Sequence, residues 1–215
     1  MRRESGPGWI LAAFGLAAAA GFVAGMALPS APLRLVAKPI PVLCLAAWVA
    51  GAGRRSSARP VCAGLLLSAL GDVLLEASPR LFLPGLVAFL AAHLAYTAGF
   101  VRATRRAALL RALPFALWGA LGYLAMRAGL GTLQVPVAVY MTAICVMMWR
   151  AAAMAGQDGP VRRAEWLALA GAVLFAASDT LIGLDRFRAP LDWARLPIIL
   201  LYWVGQLGIA ASTRE

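Results

Sequence analysis

The sequence predicts an all-α protein, a polytopic membrane helix bundle of eight transmembrane helices. Three observations carry this reading. Hydrophobic residues make up 62% of the 215-residue chain and charged residues only 13%, whereas soluble domains run to roughly 25% charged residues. Apolar stretches close to the roughly 20 residues that a membrane-crossing helix needs recur along the whole length. The breaks between them are only two to thirteen residues long. No room is left for a soluble domain, so residues 1–215 read as a single integral membrane domain.

Taken in order, the first window covers residues 9–28 and follows Arg2 and Arg3. It has the outline of a signal peptide, but the apolar run is long for one and Pro32 stands where a cleavage site would have to be, so a retained helix is expected. Arg2-Arg3 lacks the rest of a twin-arginine signal. The second window, 33–51, contains Lys38-Pro39-Ile40-Pro41, and its two prolines loosen the backbone ladder and free carbonyls toward a cavity. The third, 60–78, carries Ser68, Asp72 and Glu76 at intervals of four; the fourth, 81–101, carries His93, Tyr96 and Thr97. Residues so spaced share a helix face. The fifth and sixth windows are 109–127 and 131–150, the latter with Pro136 near one end. The seventh, 164–184, holds Ser178-Asp179, and the eighth, 193–212, holds Tyr202 and Gln206 one turn apart. Trp9, Trp149, Trp166 and Trp193 lie near window ends, where tryptophan anchors helices at the interface.

A net charge of +11 would suggest nucleic acid in a soluble protein, but here the arginines sit in the breaks. There they set orientation, and no nucleic-acid partner is expected. Thirteen arginines fall on the side that holds both termini and six on the other. This places the termini in the cytoplasm of a bacterial inner-membrane protein by the positive-inside rule. The polar residues of five helices then fall in the central and outer half of the bundle, as in a cavity open to the outer leaflet. Cys44, Cys62 and Cys145 show no CxxC spacing and there is one histidine, so neither a metal nor a disulfide framework is expected. Nothing in the sequence asks for a cofactor, and the oligomeric state is not readable.

Asp72 and Asp179 are the residues around which the rest is organised. A carboxylate inside a spanning helix costs at least about 2.5 kcal/mol on the insertion scale, so each should face protein or water. If they meet, one can hold a proton while the other is ionised, which suits acid and base chemistry. Alternatively each pairs privately, for example with Lys38 or a helix end. Lys38 itself can pair with Asp72, bind a lipid phosphate or snorkel to the surface. His93 reads as a hydrogen-bonded interior residue or a ligand; Tyr96, Tyr202 and Gln206 read as cavity lining or interhelical glue. GDVLLE in the third window is similar to SDTLIG in the seventh, four helices later. This allows two parallel four-helix repeats, chance likeness in an alanine- and leucine-rich chain being the other reading.

KPIP (38–41), GDVLL (71–75), HLAY (93–96), SDTLIGLDRF (178–187) and YWVGQ (202–206) resemble, in order and spacing, the motifs of the YhhN family of eight-helix proteins. That family includes the transmembrane lysoplasmalogenases. The resemblance covers nearly the whole chain. It implies hydrolysis of the vinyl ether bond of a lysoplasmalogen, or a related ether lysolipid, to a fatty aldehyde and a glycerophospho-headgroup. It also implies a site of Lys38, Asp72, His93, Tyr96, Ser178, Asp179, Tyr202 and Gln206. On this reading Asp72 and Asp179 are catalytic, the other six bind substrate, and the partners are a lysophospholipid and the surrounding membrane lipids. The chemistry fits the residues: protonation of the distal alkene carbon gives an oxocarbenium ion that water captures, as two carboxylates manage around a similar cation in glycosidases. Lys38, Arg34, Arg186, Arg188 or Arg195 could hold the phosphate. The competing class is a transporter or lipid-binding protein that uses the buried carboxylates for proton or cation coupling.

Overall fold

A chain this apolar must satisfy its backbone groups within each crossing segment, and helices do so. The computed structural model of the chain describes residues 8–51, 56–156, 159 and 162–214. Its helices are α1 (Gly8–Ala27), α2 (Ala31–Ala37), α3 (Ile40–Ala50), α4 (Ala58–Ala77), α5 (Phe82–Ala103), α6 (Leu113–Met126), α7 (Gln134–Met154), α8 (Arg163–Phe187) and α9 (Arg195–Ala211). All eight expected windows are found. The second is broken, since α2 and α3 are two parts of the apolar segment Ala31–Ala50. The break falls at Lys38-Pro39 because Pro39 and Pro41 have no N–H to give the carbonyls of Leu35 and Ala37. Seven segments of the described residues are long and apolar enough to cross a membrane. The last, α9, has 17 residues and spans about 25 Å. The protein is an integral membrane protein. Arg2, Arg3, Arg54 and Arg55, which entered the orientation count, lie outside the described residues.

Six helices form a ring in which α3 packs on α4, α4 on α5, α5 on α7, α7 on α8, α8 on α9, and α9 back on α3. Outside it, α1 packs on α3 and α6 on α7. The second half of the chain therefore repeats the packing of the first: α4 on α5 corresponds to α8 on α9, and α1 on α3 to α6 on α7. This is the arrangement of two parallel repeats.

Each ring helix separates its faces by helical spacing. On α4, Leu66, Leu70 and Val73 face outward, while Leu65, Ser68 and Asp72 are buried. On α5, Val87, Leu94 and Val101 point outward and Phe89, His93, Tyr96 and Phe100 inward; on α9, Leu196, Leu200, Val204 and Leu207 are opposed to Ile199, Tyr202, Gln206 and Ile209. The outward rows are leucine and valine because their surroundings are hydrocarbon, so burial cannot by itself hold the helices together. Close backbone approach through small residues takes over. Between α8 and α9 the backbones meet at Gly171, Gly205 and Gly208. A Cβ on Gly171 would stand 2.6 Å from the Ile209 nitrogen, and one on Gly205 would stand 2.7 Å from the Phe175 nitrogen.

Two arginines expected only to orient the chain have a further structural task. Arg150, 6% exposed, donates from Nη1 to the Arg106 carbonyl at 2.8 Å and from Nη2 to the Thr104 carbonyl at 2.7 Å, just past the end of α5. Arg111 donates from Nη1 to the carbonyls of Ala152 and Ala155 at the end of α7. Carbonyls left without intrahelical donors are satisfied this way, with the positive charge favoured by the helix dipole. Arg150→Gln should lower stability by about 2 kcal/mol through the loss of two charge-assisted bonds. Thermal unfolding of the purified protein in detergent would read this as a fall in Tm; an unchanged Tm would mean that the bonds contribute nothing.

Candidate functional site

Helical spacing puts Ser68, Asp72 and Glu76 in one row on α4, running toward the end of the bundle where α2 and α9 begin. Asp72 is 1% exposed. Its Oδ2 accepts a hydrogen bond from the Tyr202 hydroxyl of α9 at 2.6 Å, and the Lys38 Nζ lies 4.0 Å from its Oδ1. Lys38 stands at the break between α2 and α3, so its ammonium turns into the bundle rather than along the wall. One turn further on, Glu76 draws in three cations. Its Oε1 accepts from Arg34 Nε at 2.8 Å and from Arg195 Nη2 at 2.9 Å, and its Oε2 is 3.5 Å from Lys38 Nζ. Arg195 keeps about half of its side chain exposed, at 53%. Two carboxylates and three cations thus form one cluster that runs from the surface down to Asp72.

Asp179, on α8, has different company. The Tyr140 hydroxyl of α7 donates to its Oδ2 at 2.6 Å, and the His93 Nε2 of α5 lies 3.3 Å from the same oxygen. Among the described residues, His93 is its only partner within ion-pair distance. The other nitrogen of His93, Nδ1, is 2.6 Å from the Phe89 carbonyl oxygen. A carbonyl only accepts, so Nδ1 carries the proton. Nε2 has no aligned hydrogen bond. Asp179 and Tyr140 line a narrow cleft whose other walls are apolar, among them Leu75, Leu86, Phe89, Met126 and Val137. Leu75 is three residues on from Asp72 and on the same face of α4, so the cleft ends close to the cation cluster.

The two carboxylates have separate hydrogen-bond partners, and aromatic rings stand between those partners. His93 stacks on Phe175 at 4.7 Å between centroids, and Phe175 meets the Tyr202 ring edge-on at 5.4 Å. Where a shared polar cavity was expected, the described residues form a compact polar core with an apolar cleft on one side. Tyr96, fully buried, donates to Gln206 Oε1 at 2.7 Å and shares a 3.2 Å hydrogen bond with Ser68. It joins α4, α5 and α9, which is the reading as interhelical glue. Gln206 Nε2 is buried and has no hydrogen-bond partner among the described residues. Ser178 turns away from the polar core and donates to the Ile198 carbonyl at 2.9 Å. There it bridges α8 to the first turn of α9.

Tyr140 is the residue that sequence reading missed. A tyrosine deep in an apolar window needs a partner for its hydroxyl when buried, and asking where that hydroxyl goes would have found it. Glu76 was visible only as the end of a spaced row, not as the centre of three cations. Among the described residues, no three His, Cys, Asp or Glu side chains come together as a metal would require. Chemically, the assembly offers an anionic group bound to cations at one end and a second carboxyl beside an imidazole at an apolar wall, with aromatic rings between their partners.

The sequence matches the YhhN family over residues 33–213. The Homo sapiens protein named lysoplasmalogenase TMEM86B is 34% identical over 176 residues, covering 81% of this chain and 73% of that protein. The Bos taurus lysoplasmalogenase TMEM86A is 32% identical over 188 residues, covering 83% and 77%. A Mycobacterium tuberculosis lysoplasmalogenase is 34% identical over 157 residues, covering 69% and 58%. No solved structure matches the chain.

Proposed function

The chain belongs to the YhhN family, and from that premise we propose that it is an intramembrane hydrolase that cleaves the vinyl ether bond of a lysoplasmalogen. The products are a fatty aldehyde and a glycerophospho-headgroup. Relatives from mammals and from a bacterium carry the name lysoplasmalogenase over most of the chain, and none of these is named as a transporter. One observation carries the proposal to the chemical level. Two buried carboxyls are held in contrasting surroundings, Asp72 beside cations and Asp179 on an apolar wall. A lysolipid has the same division, a charged headgroup and a hydrocarbon chain joined at the bond to be cut. Arg34, Lys38 and Arg195 supply the positive charge for its phosphate, and the apolar residues beside Asp179 suit the part of the chain next to the bond.

Vinyl ether hydrolysis needs a proton for the alkene carbon distal to oxygen, stabilisation of the resulting oxocarbenium ion, and a base for the attacking water. Two carboxyls can meet all three needs, as they do around the similar cation of glycoside hydrolysis. The arginine distribution supports termini in the cytoplasm, which puts this end of the bundle toward the outer leaflet.

The test is direct. Purified protein in detergent should release aldehyde from a 1-alkenyl lysophospholipid and leave the saturated 1-alkyl ether intact. Solute flux into proteoliposomes without aldehyde formation would instead select the transporter.

A further inference from the structure

The two carboxyls are not equivalent, and their surroundings assign the roles. Asp72 and Glu76 together face Arg34, Lys38 and Arg195, so on this side positive charge is in excess even with both carboxylates ionised. Those cations favour the ionised form of Asp72. Asp179 has no arginine or lysine within ion-pair distance among the described residues, and its only basic neighbour is His93. An ionised Asp179 without a countercharge beside an apolar wall is costly. His93 Nδ1 is already committed to the Phe89 carbonyl, which leaves Nε2 bare if the ring is neutral. A bare nitrogen would then stand 3.3 Å from the carboxylate oxygen, two electron-rich atoms with no proton between them. One extra proton relieves both problems, whether it sits on Nε2 as imidazolium or on the Asp179 carboxyl.

We propose that the Asp179–His93 pair stores the proton delivered to the substrate carbon, and that Asp72 is the ionised carboxylate that stabilises the cation and activates water. This deepens the hydrolase reading and rests on it. Position supports the same division, because the substrate itself is polarised. The alkene carbon that accepts the proton lies on the hydrocarbon side of the bond, and Asp179 lines the apolar cleft. The carbon that becomes cationic is bonded to oxygen on the headgroup side, where Asp72 lies beside the cation cluster. In the first step the alkene π pair takes the stored proton and forms a C–H bond. Water then bonds to the cationic carbon and gives a proton to Asp72. When the hemiacetal collapses, the C–O bond to glycerol breaks and Asp72 returns its proton to the glycerol oxygen. The hemiacetal hydroxyl proton recharges the Asp179–His93 pair, so one water is consumed and both groups are restored. His93 is a positioning and proton-storing residue, and Tyr140 fixes the carboxyl by donating to its Oδ2.

Two measurements on the full-length protein in detergent test this without turnover. The chain has a single histidine, so 15N-histidine labelling gives one assignable imidazole. Nuclear magnetic resonance should show either an imidazolium, or a neutral ring protonated at Nδ1 accompanied by a carboxylic-acid C=O stretch in the infrared that disappears in Asp179→Asn. A neutral ring with no such stretch overturns the proposal. Second, a 1-alkylamino-1-deoxy lysophospholipid, whose ammonium takes the place of the ether oxygen, should bind at least tenfold more weakly to Asp72→Asn and within twofold of wild type to Asp179→Asn. The opposite order, or an equal loss in both variants, also overturns it. Failure of the wild type to release aldehyde would overturn the hydrolase reading separately.

Discussion

Asp72→Asn and Asp179→Asn should each lower the rate of aldehyde release from a 1-alkenyl lysophospholipid by about 10²- to 10⁴-fold, the span that general acid or base catalysis contributes. Both substitutions keep the shape of the side chain. An asparagine amide oxygen at 72 can still accept from the Tyr202 hydroxyl, and one at 179 can still accept from Tyr140, as the carboxylates do at 2.6 Å. Lys38 keeps Glu76 at 3.5 Å when Asp72 loses its charge. The fold should therefore survive, with Tm within a few degrees of wild type, and the loss should fall on kcat rather than KM. Initial rates over a range of substrate concentration, beside a thermal melt, would check this. Full activity in either correctly folded variant would remove that carboxyl from the mechanism.

The second large effect is structural. Gly205→Ala should destabilise the protein by about 1–3 kcal/mol, the cost of forcing an extra carbon into close packing, and should lower activity with it. The added methyl would stand 2.7 Å from the Phe175 nitrogen and 2.9 Å from the Gly171 carbonyl oxygen. Both are backbone atoms, so no rotamer change makes room and α9 must move off α8. Tyr202 and Gln206 flank this glycine on α9, and their hydrogen bonds to Asp72 and Tyr96 would stretch as it moved. Gly21→Ala on α1 is the control, because its methyl meets only the side chains of Ala37 and Leu33 at 3.8 and 3.9 Å. A Tm fall in detergent for Gly205→Ala alone is expected. Equal Tm values would mean that the α8–α9 contact has slack.

The crossing helices and their inward rows were legible in the sequence for one physical reason. Charge and hydroxyl groups are costly in hydrocarbon, so Ser68, Asp72 and Glu76 had to share a face, and the four-residue interval showed that they do. The break at Lys38-Pro39 was legible as a weakened ladder. What spacing within a helix does not encode is which helix stands opposite. The separate partners of Asp72 and Asp179, the Tyr140 hydroxyl bond and the gathering of Arg34 and Arg195 on Glu76 all depend on packing between segments 39 to 130 residues apart. Ser178 shows the same dependence on packing from the other side. Its place beside Asp179 in a shared motif suggested a common task, but adjacent residues on a helix point about 100° apart, and its hydroxyl serves the α8–α9 contact.

Each carboxyl takes one partner from its own half of the chain and one from the other: Asp72 has Lys38 and Tyr202, Asp179 has Tyr140 and His93. A four-helix half standing alone would hold neither set complete. In ancestral terms, a half-length chain of this design would have had to pair with a second copy of itself, producing two identical sites of identical chemistry. Joining the halves into one chain removes that constraint of symmetry. In a single chain the counterpart positions are free to differ, and here one carboxyl stands beside a lysine and the other beside a histidine.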